Sequence, residues 1–269
     1  MRGFVLNKAG YVFRPFPNCD IQSRCSSESA VAKLFLVRHG ETHANRDRLI
    51  DGQTDSVLTE LGKRQAVAAG NALNDVCFGL ALSSDLPRAK STAELLLGQN
   101  TTFERGRLQL ETCKLLRERH FGTLDRVPTI EYMAHPEFDG WGGRFTPLGA
   151  ETREEVRCRA REFLIALVSR ISKSHAGKEE DNLLNCLIVS HGVVIMEFVR
   201  CLAREFKCYF PENATEELYE NKVAPNASLT TFNLVVETSG RGQANVRDVM
   251  CLKLYCDRHL RCLAVNESV

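Results

Sequence analysis

The sequence predicts an α/β fold, a three-layer sandwich with a mainly parallel central sheet and helices on both faces. Three observations carry that expectation. Two short apolar runs, Lys33-Leu-Phe-Leu-Val-Arg38-His39-Gly40 and Cys186-Leu-Ile-Val-Ser190-His191-Gly192, are bulky enough for buried strands, and each ends in His-Gly. Strand-like stretches alternate with helical periodicity along the chain, the pattern of parallel strands joined by crossover helices. Finally, 269 residues with 43% hydrophobic content are ample for one good-sized α/β domain or two small ones.

The elements follow in order. Residues 1–32 are basic and end Ser-rich, and they read as an N-terminal extension, either disordered or organelle-targeting. The main domain is placed at 33–262 and a short tail at 263–269. After the first His-Gly corner, a polar loop runs through Gly52-Gln53 to Ser56. A helix is expected from about Thr59, with Leu61, Ala68, Ala69, Ala72 and Leu73 near one face. Residues 79–84 read as a second strand. Asp85-Leu-Pro87-Arg88 opens another helix, with Asp85 as N-cap and Pro87 in the first turn. Residues 109–116 read as a third strand, leading into Arg117-Glu118-Arg119-His120. Residues 123–149 read as loop and hold the only Trp, Trp141. Thr152-Arg-Glu-Glu155 is a capping-box pattern that starts a helix with the stripe Val156, Ala160, Phe163, Leu164, Leu167, Ile171. Residues 173–182 form a charged loop. The second His-Gly strand and a helix at about 193–203 follow. Two late strands, 228–236 and 246–255, are expected at a sheet edge.

Composition excludes some functions. The net charge of +1 gives no case for nucleic acid or an anionic membrane as partner. No apolar run reaches the roughly 18–20 residues of a membrane span. Eleven cysteines without a framework spacing favour reduced thiols and a cytoplasmic setting, with mitochondria as the alternative through the N-terminal extension.

The two corners suggest one pocket. Gly40 lets the backbone turn sharply after its strand, which places Arg38 and His39 where open α/β sheets bind ligands. A cavity holding His39, His191, Arg38 and Arg88 suits a phosphoryl group, whose oxygens match guanidinium forks. A neutral imidazole can attack phosphorus and form a covalent intermediate. The leaving alcohol then needs a proton from a carboxylic acid, and Glu118 is the natural candidate.

These blocks resemble the signature of the histidine phosphatase superfamily, which includes the phosphoglycerate mutases. The resemblance rests on Leu36-Val-Arg38-His39-Gly40-Glu41-Thr42 with Asn45, and on Leu58-Thr-Glu-Leu-Gly62. It continues through Ser83-Ser84-Asp85-Leu-Pro-Arg88, Glu118-Arg-His-Phe-Gly122 and Ser190-His191-Gly192. All five occur in the family's order and cover about residues 33–200. The resemblance implies a phosphoglycerate mutase-like fold. It makes His39 the nucleophile, Arg38, Arg88 and His191 the phosphate pocket, and Glu118 the general acid. It adds Asn45 and the Gly192 backbone as phosphate contacts, and implies no metal or diffusible cofactor.

Within the superfamily the chain is most similar to the TIGAR-type fructose-2,6-bisphosphatases. Leu49-Ile-Asp-Gly52-Gln53, Phe145-Thr-Pro-Leu-Gly149 and Pro225-Asn-Ala-Ser-Leu carry that likeness, which adds Gly52 and Gln53 to the substrate-binding set. It implies a monomer that hydrolyses the 2-phosphate of fructose 2,6-bisphosphate. The alternatives are a broad phosphomonoesterase, a bisphosphoglycerate phosphatase or a phosphoglycerate mutase, and outside enzymes an interaction protein on a phosphatase fold. Two decoys are set aside. Cys113 and Arg119 fit the bare cysteine-phosphatase spacing but lack its Gly-rich loop. Cys251, Cys256, His259 and Cys262 have no zinc-site spacing.

Overall fold

In strand β3 (Ser29–Arg38), side chains alternate between two cores. Leu34 and Leu36 face one hydrophobic cluster and Phe35 and Val37 face the other. A strand that is apolar on both sides belongs in the middle of a sheet covered on both faces, and that is where it lies. The computed structural model describes residues 5–6, 12–13, 29–102, 108–141, 143–175, 183–206, 208–238 and 243–264. A two-stranded antiparallel pair, β1 (Val5–Leu6) and β2 (Val12–Phe13), stands outside the main sheet. The other residues of the expected N-terminal extension up to residue 28 lie outside the described residues.

Among the described residues the main sheet has seven strands. They are β3, β4 (Phe78–Ser83), β5 (Leu110–Thr112), β6 (Leu184–Ser190), β7 (Cys208–Tyr209), β8 (Leu229–Thr238) and β9 (Ala244–Cys256), in the order β5-β4-β6-β3-β8-β9-β7. All neighbours are parallel except β3 with β8 and β8 with β9, so β8 alone runs against the rest.

The helices cover both faces. On one side α2 (Glu60–Asn71) and α3 (Pro87–Leu97) bring Ala69, Ala89, Ala93 and Leu96 against Phe35, Val37, Leu187 and Val189. On the other, α5 (Arg153–His175) and α6 (Gly192–Glu205) bring Phe163, Leu164, Leu167, Ile171, Ile195 and Phe198 against Leu34, Leu36, Ile188, Phe232 and Leu234. Fully burying one such Leu or Phe contributes about 1.5–3 kcal/mol. Shorter helices complete the chain: α1 (His43–Arg46), α4 (Thr129–Met133), α7 (Glu216–Asn221) and α8 (Arg261–Ala264).

Several expectations are corrected. The sheet begins at Ser29, not 33, because residues 29–32 pair with β8. The tail boundary at 263 falls inside α8. Asp85 is not the N-cap of α3; Leu86 occupies that position, and Asp85 instead accepts two hydrogen bonds from Arg117 at 2.7 Å each. The third strand spans three residues, since the chain turns into a 3₁₀ helix at Lys114–Leu116. Of the late strands, β8 is interior, between β3 and β9, and the edge on that side is the two-residue β7. The charged loop keeps helical form to His175, and 176–182 lie outside the described residues. The capping box at Thr152 and Glu155 is present in both directions.

Candidate active site

Register brings the two His-Gly corners together. Arg38 pairs with Ser190 across the β3–β6 ladder, and the His39 N–H donates to the Ser190 carbonyl at 3.0 Å. The next residues, His39 and His191, therefore leave the sheet side by side, with ring centroids 5.1 Å apart. The neighbouring strand β4 ends at the same level, where Ser84 N–H donates to Val189 O. Arg88 thus enters from the first turn of α3. Three chain segments distant in sequence converge at the carboxyl ends of parallel strands.

His39 is 2% exposed, and its Nδ1–H donates to the Gly40 carbonyl at 2.7 Å. That bond fixes the tautomer and leaves Nε2 with its lone pair. Burial, and then the positive charges of Arg88 and Arg38, hold its pKa well below the ordinary histidine value. The ring is therefore neutral at physiological pH, the form that can act as a nucleophile. His191 is fully buried and shifted the same way, by burial first and then by Arg88, His39 and Arg38. Neither of its ring nitrogens has a hydrogen-bond partner among the described residues. A buried imidazole with both nitrogens unpaired is costly unless something docks there.

The two guanidiniums are held by backbone carbonyls. Arg88 is fully buried and donates to Gly52 O at 2.6 Å and Thr54 O at 2.8 Å, with Asp51 3.7 Å from its Nε. Asp51 in turn accepts from Thr42 and Ser56 hydroxyls. Gly52 is needed here because its φ of +49° suits glycine and a Cβ would overlap the Asp125 carboxylate. Arg38 Nη1 donates to Ala224 O at 2.6 Å, and its Nε is buried without a hydrogen-bond partner among the described residues. Gly192 allows the close approach, since a Cβ there would collide with Val223 and touch the Arg38 guanidinium.

Glu118 is 8% exposed, and its two oxygens accept from Arg119 N at 2.8 Å and Val193 N at 3.3 Å. Asn45 Oδ1 accepts from Thr42 N and from the Asn226 amide, which leaves its own NH₂ free to donate toward the cavity. The cavity, about 250 Å³, is lined by Arg38, His39, Asn45, Gly52, Arg88 and Glu118, with a wall of Leu49, Ile50, Phe121, Trp141, Val193 and Val223.

Three expected contacts are placed differently. His191 is fully buried beside His39, with ring centroids 5.1 Å apart, and is off the cavity lining. Gln53 does not line the cavity; its amide donates to the Glu118 carbonyl at 3.0 Å and buttresses the acid from behind. Gly192 lies behind the Arg38 guanidinium and is also off the lining. Other residues were missed in the sequence. Arg119 is buried and clips the 132–151 loop through Tyr132, Phe145 and Glu151. Arg159 ties Glu151 to the carbonyls of Leu115, Arg117 and Glu118. Asn226 bridges His39 O and Asn45. Their one sequence signal is a polar side chain inside an otherwise apolar stripe or turn, as at Arg159 in α5. Cys113, the decoy nucleophile, lies on the strand side of the 3₁₀ turn, and Arg119 is spent on the loop contacts above.

A neutral imidazole beside one buried and one half-buried guanidinium, with a carboxyl group held close by, is equipment for moving a phosphoryl group through a phosphohistidine. A family model described as the histidine phosphatase superfamily, branch 1, matches residues 34–235, and the chain belongs to that superfamily. It is 35% identical over 224 residues to the fructose-2,6-bisphosphatase TIGAR B of Danio rerio, a match covering 74% of this chain and 85% of that one. Among solved structures it is similar to a mycobacterial glucosyl-3-phosphoglycerate phosphatase, with TM-score 0.64 and 26% identity, covering 84% of this chain and 99% of the other. The phosphoglycerate mutase of Bacillus anthracis is also similar, with TM-score 0.60 and 25% identity over 87% of this chain and 96% of that one.

Proposed function

We propose that this chain hydrolyses a phosphorylated sugar through a phosphohistidine on His39, with fructose 2,6-bisphosphate, cleaved at the 2-phosphate, as its substrate. The observation that carries the chemistry is the Nδ1–H to Gly40 O bond, which leaves a neutral Nε2 beside Arg38, Arg88 and His191. The His39 Nε2 lone pair attacks phosphorus, the ester P–O bond breaks, and the sugar oxygen leaves with the proton of the Glu118 carboxyl group. Glu118, now a carboxylate, takes a proton from water, whose oxygen attacks phosphorus. The N–P bond then breaks, its electron pair returns to Nε2, and phosphate departs. Arg38, Arg88, Asn45 and His191 donate to the equatorial oxygens throughout, where charge builds in the transition state. The substrate is supported by the similarity to the TIGAR protein.

The outer wall of the cavity favours a second reading, a broader phosphomonoesterase. Leu49, Ile50, Phe121, Trp141, Val193 and Val223 offer no cation for a second phosphate. A bisphosphate must find its outer partner at the rim, and Lys222 is placed for it. With Trp141 and Val223 it lines an adjoining groove of about 590 Å³. The free thiols among the described residues fit a reducing compartment such as the cytoplasm, with mitochondria as the alternative.

The deciding experiment is a kcat/KM panel with a chelator present, containing fructose 2,6-bisphosphate, 2,3-bisphosphoglycerate, 3-phosphoglycerate and an aryl phosphate, run on wild type and His39→Ala. Preference for the sugar bisphosphate, with all turnover lost in His39→Ala, supports the proposal. A flat profile removes the substrate and keeps the chemistry; turnover in His39→Ala removes the chemistry.

A further inference from the structure

We propose that His259, far from the pocket in sequence and outside its lining, is a positioning residue for the His39 nucleophile, acting through the turn at residues 224–228. That turn is a strap across the site. Its carbonyl at Ala224 accepts from Arg38 Nη1 at 2.6 Å, and its carbonyl at Ser228 accepts from Arg38 N at 3.3 Å. Ala227 N–H is shared between the carbonyls of Arg38 and His39, 3.1 Å from each. The Asn226 amide donates to His39 O at 3.1 Å and to Asn45 Oδ1 at 2.9 Å. One five-residue turn therefore sets the backbone of the nucleophile, one guanidinium and the Asn45 amide.

The strap is held in an unfavourable shape. Ala227 has φ +52°, the left-handed region that side-chain-bearing residues avoid. Such a conformation persists only where its surroundings over-determine it. Ala227 is fully buried, and its carbonyl accepts from His259 Nε2–H at 2.9 Å. His259 sits in the 3₁₀ turn Arg258–Leu260 just after β9, where that turn meets α2. It lines two surface grooves of about 580 and 540 Å³, so replacing it opens no hole in the core. Removing the donor leaves the Ala227 carbonyl unpaired and lets the strap relax toward ordinary backbone geometry. His39, Arg38 and Asn45 then lose their shared alignment, and misplacement of this kind costs rate steeply.

The inference rests on the phosphatase reading, so its test has one arm that needs no turnover. Trp141 is the only Trp of the chain and lines the cavity, so its fluorescence reports vanadate binding. His259→Ala should lower kcat on an aryl phosphate about tenfold with KM within about threefold, and weaken vanadate binding several-fold. His259→Gln, whose amide can donate to the same carbonyl, should recover most of both. Ala227→Gly adopts φ +52° without strain, and in that background His259→Ala should cost clearly less. Unchanged kcat and vanadate affinity in His259→Ala, or equal losses in the Ala and Gln variants, would overturn the proposal. So would a lowered melting temperature with full activity per folded molecule. A wild type that binds vanadate but turns nothing over would instead count against the phosphatase reading, and the binding arm would still decide the role of His259.

Discussion

Glu118 caps the helix that the second histidine introduces: its Oε2 accepts from the Val193 N–H at 3.3 Å, within the first turn of α6. The acid and the His191 corner are thereby fixed to each other, although 75 residues separate Glu118 from Val193.

Glu118→Gln keeps the shape and removes the proton. Turnover of an alkyl phosphate should fall by about 10²–10⁴. An aryl phosphate, whose leaving group needs no proton, should lose much less in the phosphorylation step. Equal losses in a burst experiment on both substrates would argue against the acid role.

Arg88, Arg38 and an imidazole without a hydrogen-bond partner among the described residues make an anion welcome in the pocket. Vanadate should raise the melting temperature, by an amount equivalent to about 2.7 kcal/mol at a hundred times its Kd. In Arg88→Met, which removes the fully buried cation, that shift should largely vanish. Persistence of the full shift would place the anion elsewhere.

His39 and His191 are both depressed well below the histidine value of 6.5, chiefly by burial. The fold therefore excludes protons that the unfolded chain takes up once pH falls below about 6.5. The stability contributed by keeping the rings neutral is complete above that pH and is lost on acidification, by up to about 1.4 kcal/mol per pH unit for each ring. The melting temperature should fall between pH 7 and 5, and a His39→Gln/His191→Gln double variant should show a shallower fall. An unchanged slope would assign the acid sensitivity to other groups.

Lys222→Ala should raise KM for fructose 2,6-bisphosphate several-fold and leave an aryl phosphate unaffected. Steady-state kinetics on the two substrates decides it. Parallel changes would mean that Lys222 shapes the groove without reading a second phosphate.

Arg119 is buried with its guanidinium divided among Glu151 O, Tyr132 OH and Phe145 O. Arg119→Leu strands these acceptors, and denaturant unfolding should show a loss of about 3 kcal/mol or more. A loss under about 1 kcal/mol would show that the loop is held by its aromatic cluster of Tyr132, Phe138, Trp141 and Phe145.

Much of this site was legible because its chemistry is local to strand ends. An apolar run followed by His-Gly states both the strand and the corner, and Arg38, His39, His191, Arg88 and Glu118 all reach one place. What the sequence did not reveal depends on contacts without local pattern. Gln53 entered the substrate-binding set through the TIGAR-type resemblance of its loop, yet its amide donates to a backbone carbonyl 65 residues away. Asp85 had the spacing of an N-cap, and a bidentate arginine out-competed the helix amides. The interior place of β8 could not be read, since its apolar stretch suits an edge or a centre equally and only pairing with β3 decides. Arg119, Arg159 and Asn226 escaped for the same reason: each earns its position from carbonyls contributed by other segments.

The reversed direction of β8 has a consequence for synthesis. Because β8 runs against β3, its leading end meets the trailing end of β3, and the strap at 224–228 is delivered to the nucleophile. A chain growing from its N-terminus makes His39 almost two hundred residues before it makes the strap. Until β8 emerges, nine register positions of β3 lack their neighbour on that side. A nascent or prematurely terminated chain thus carries an apolar, unpaired strand edge, a template for association with other chains. Chaperone demand during translation should rise after β6 is made and fall once residue 238 has left the ribosome.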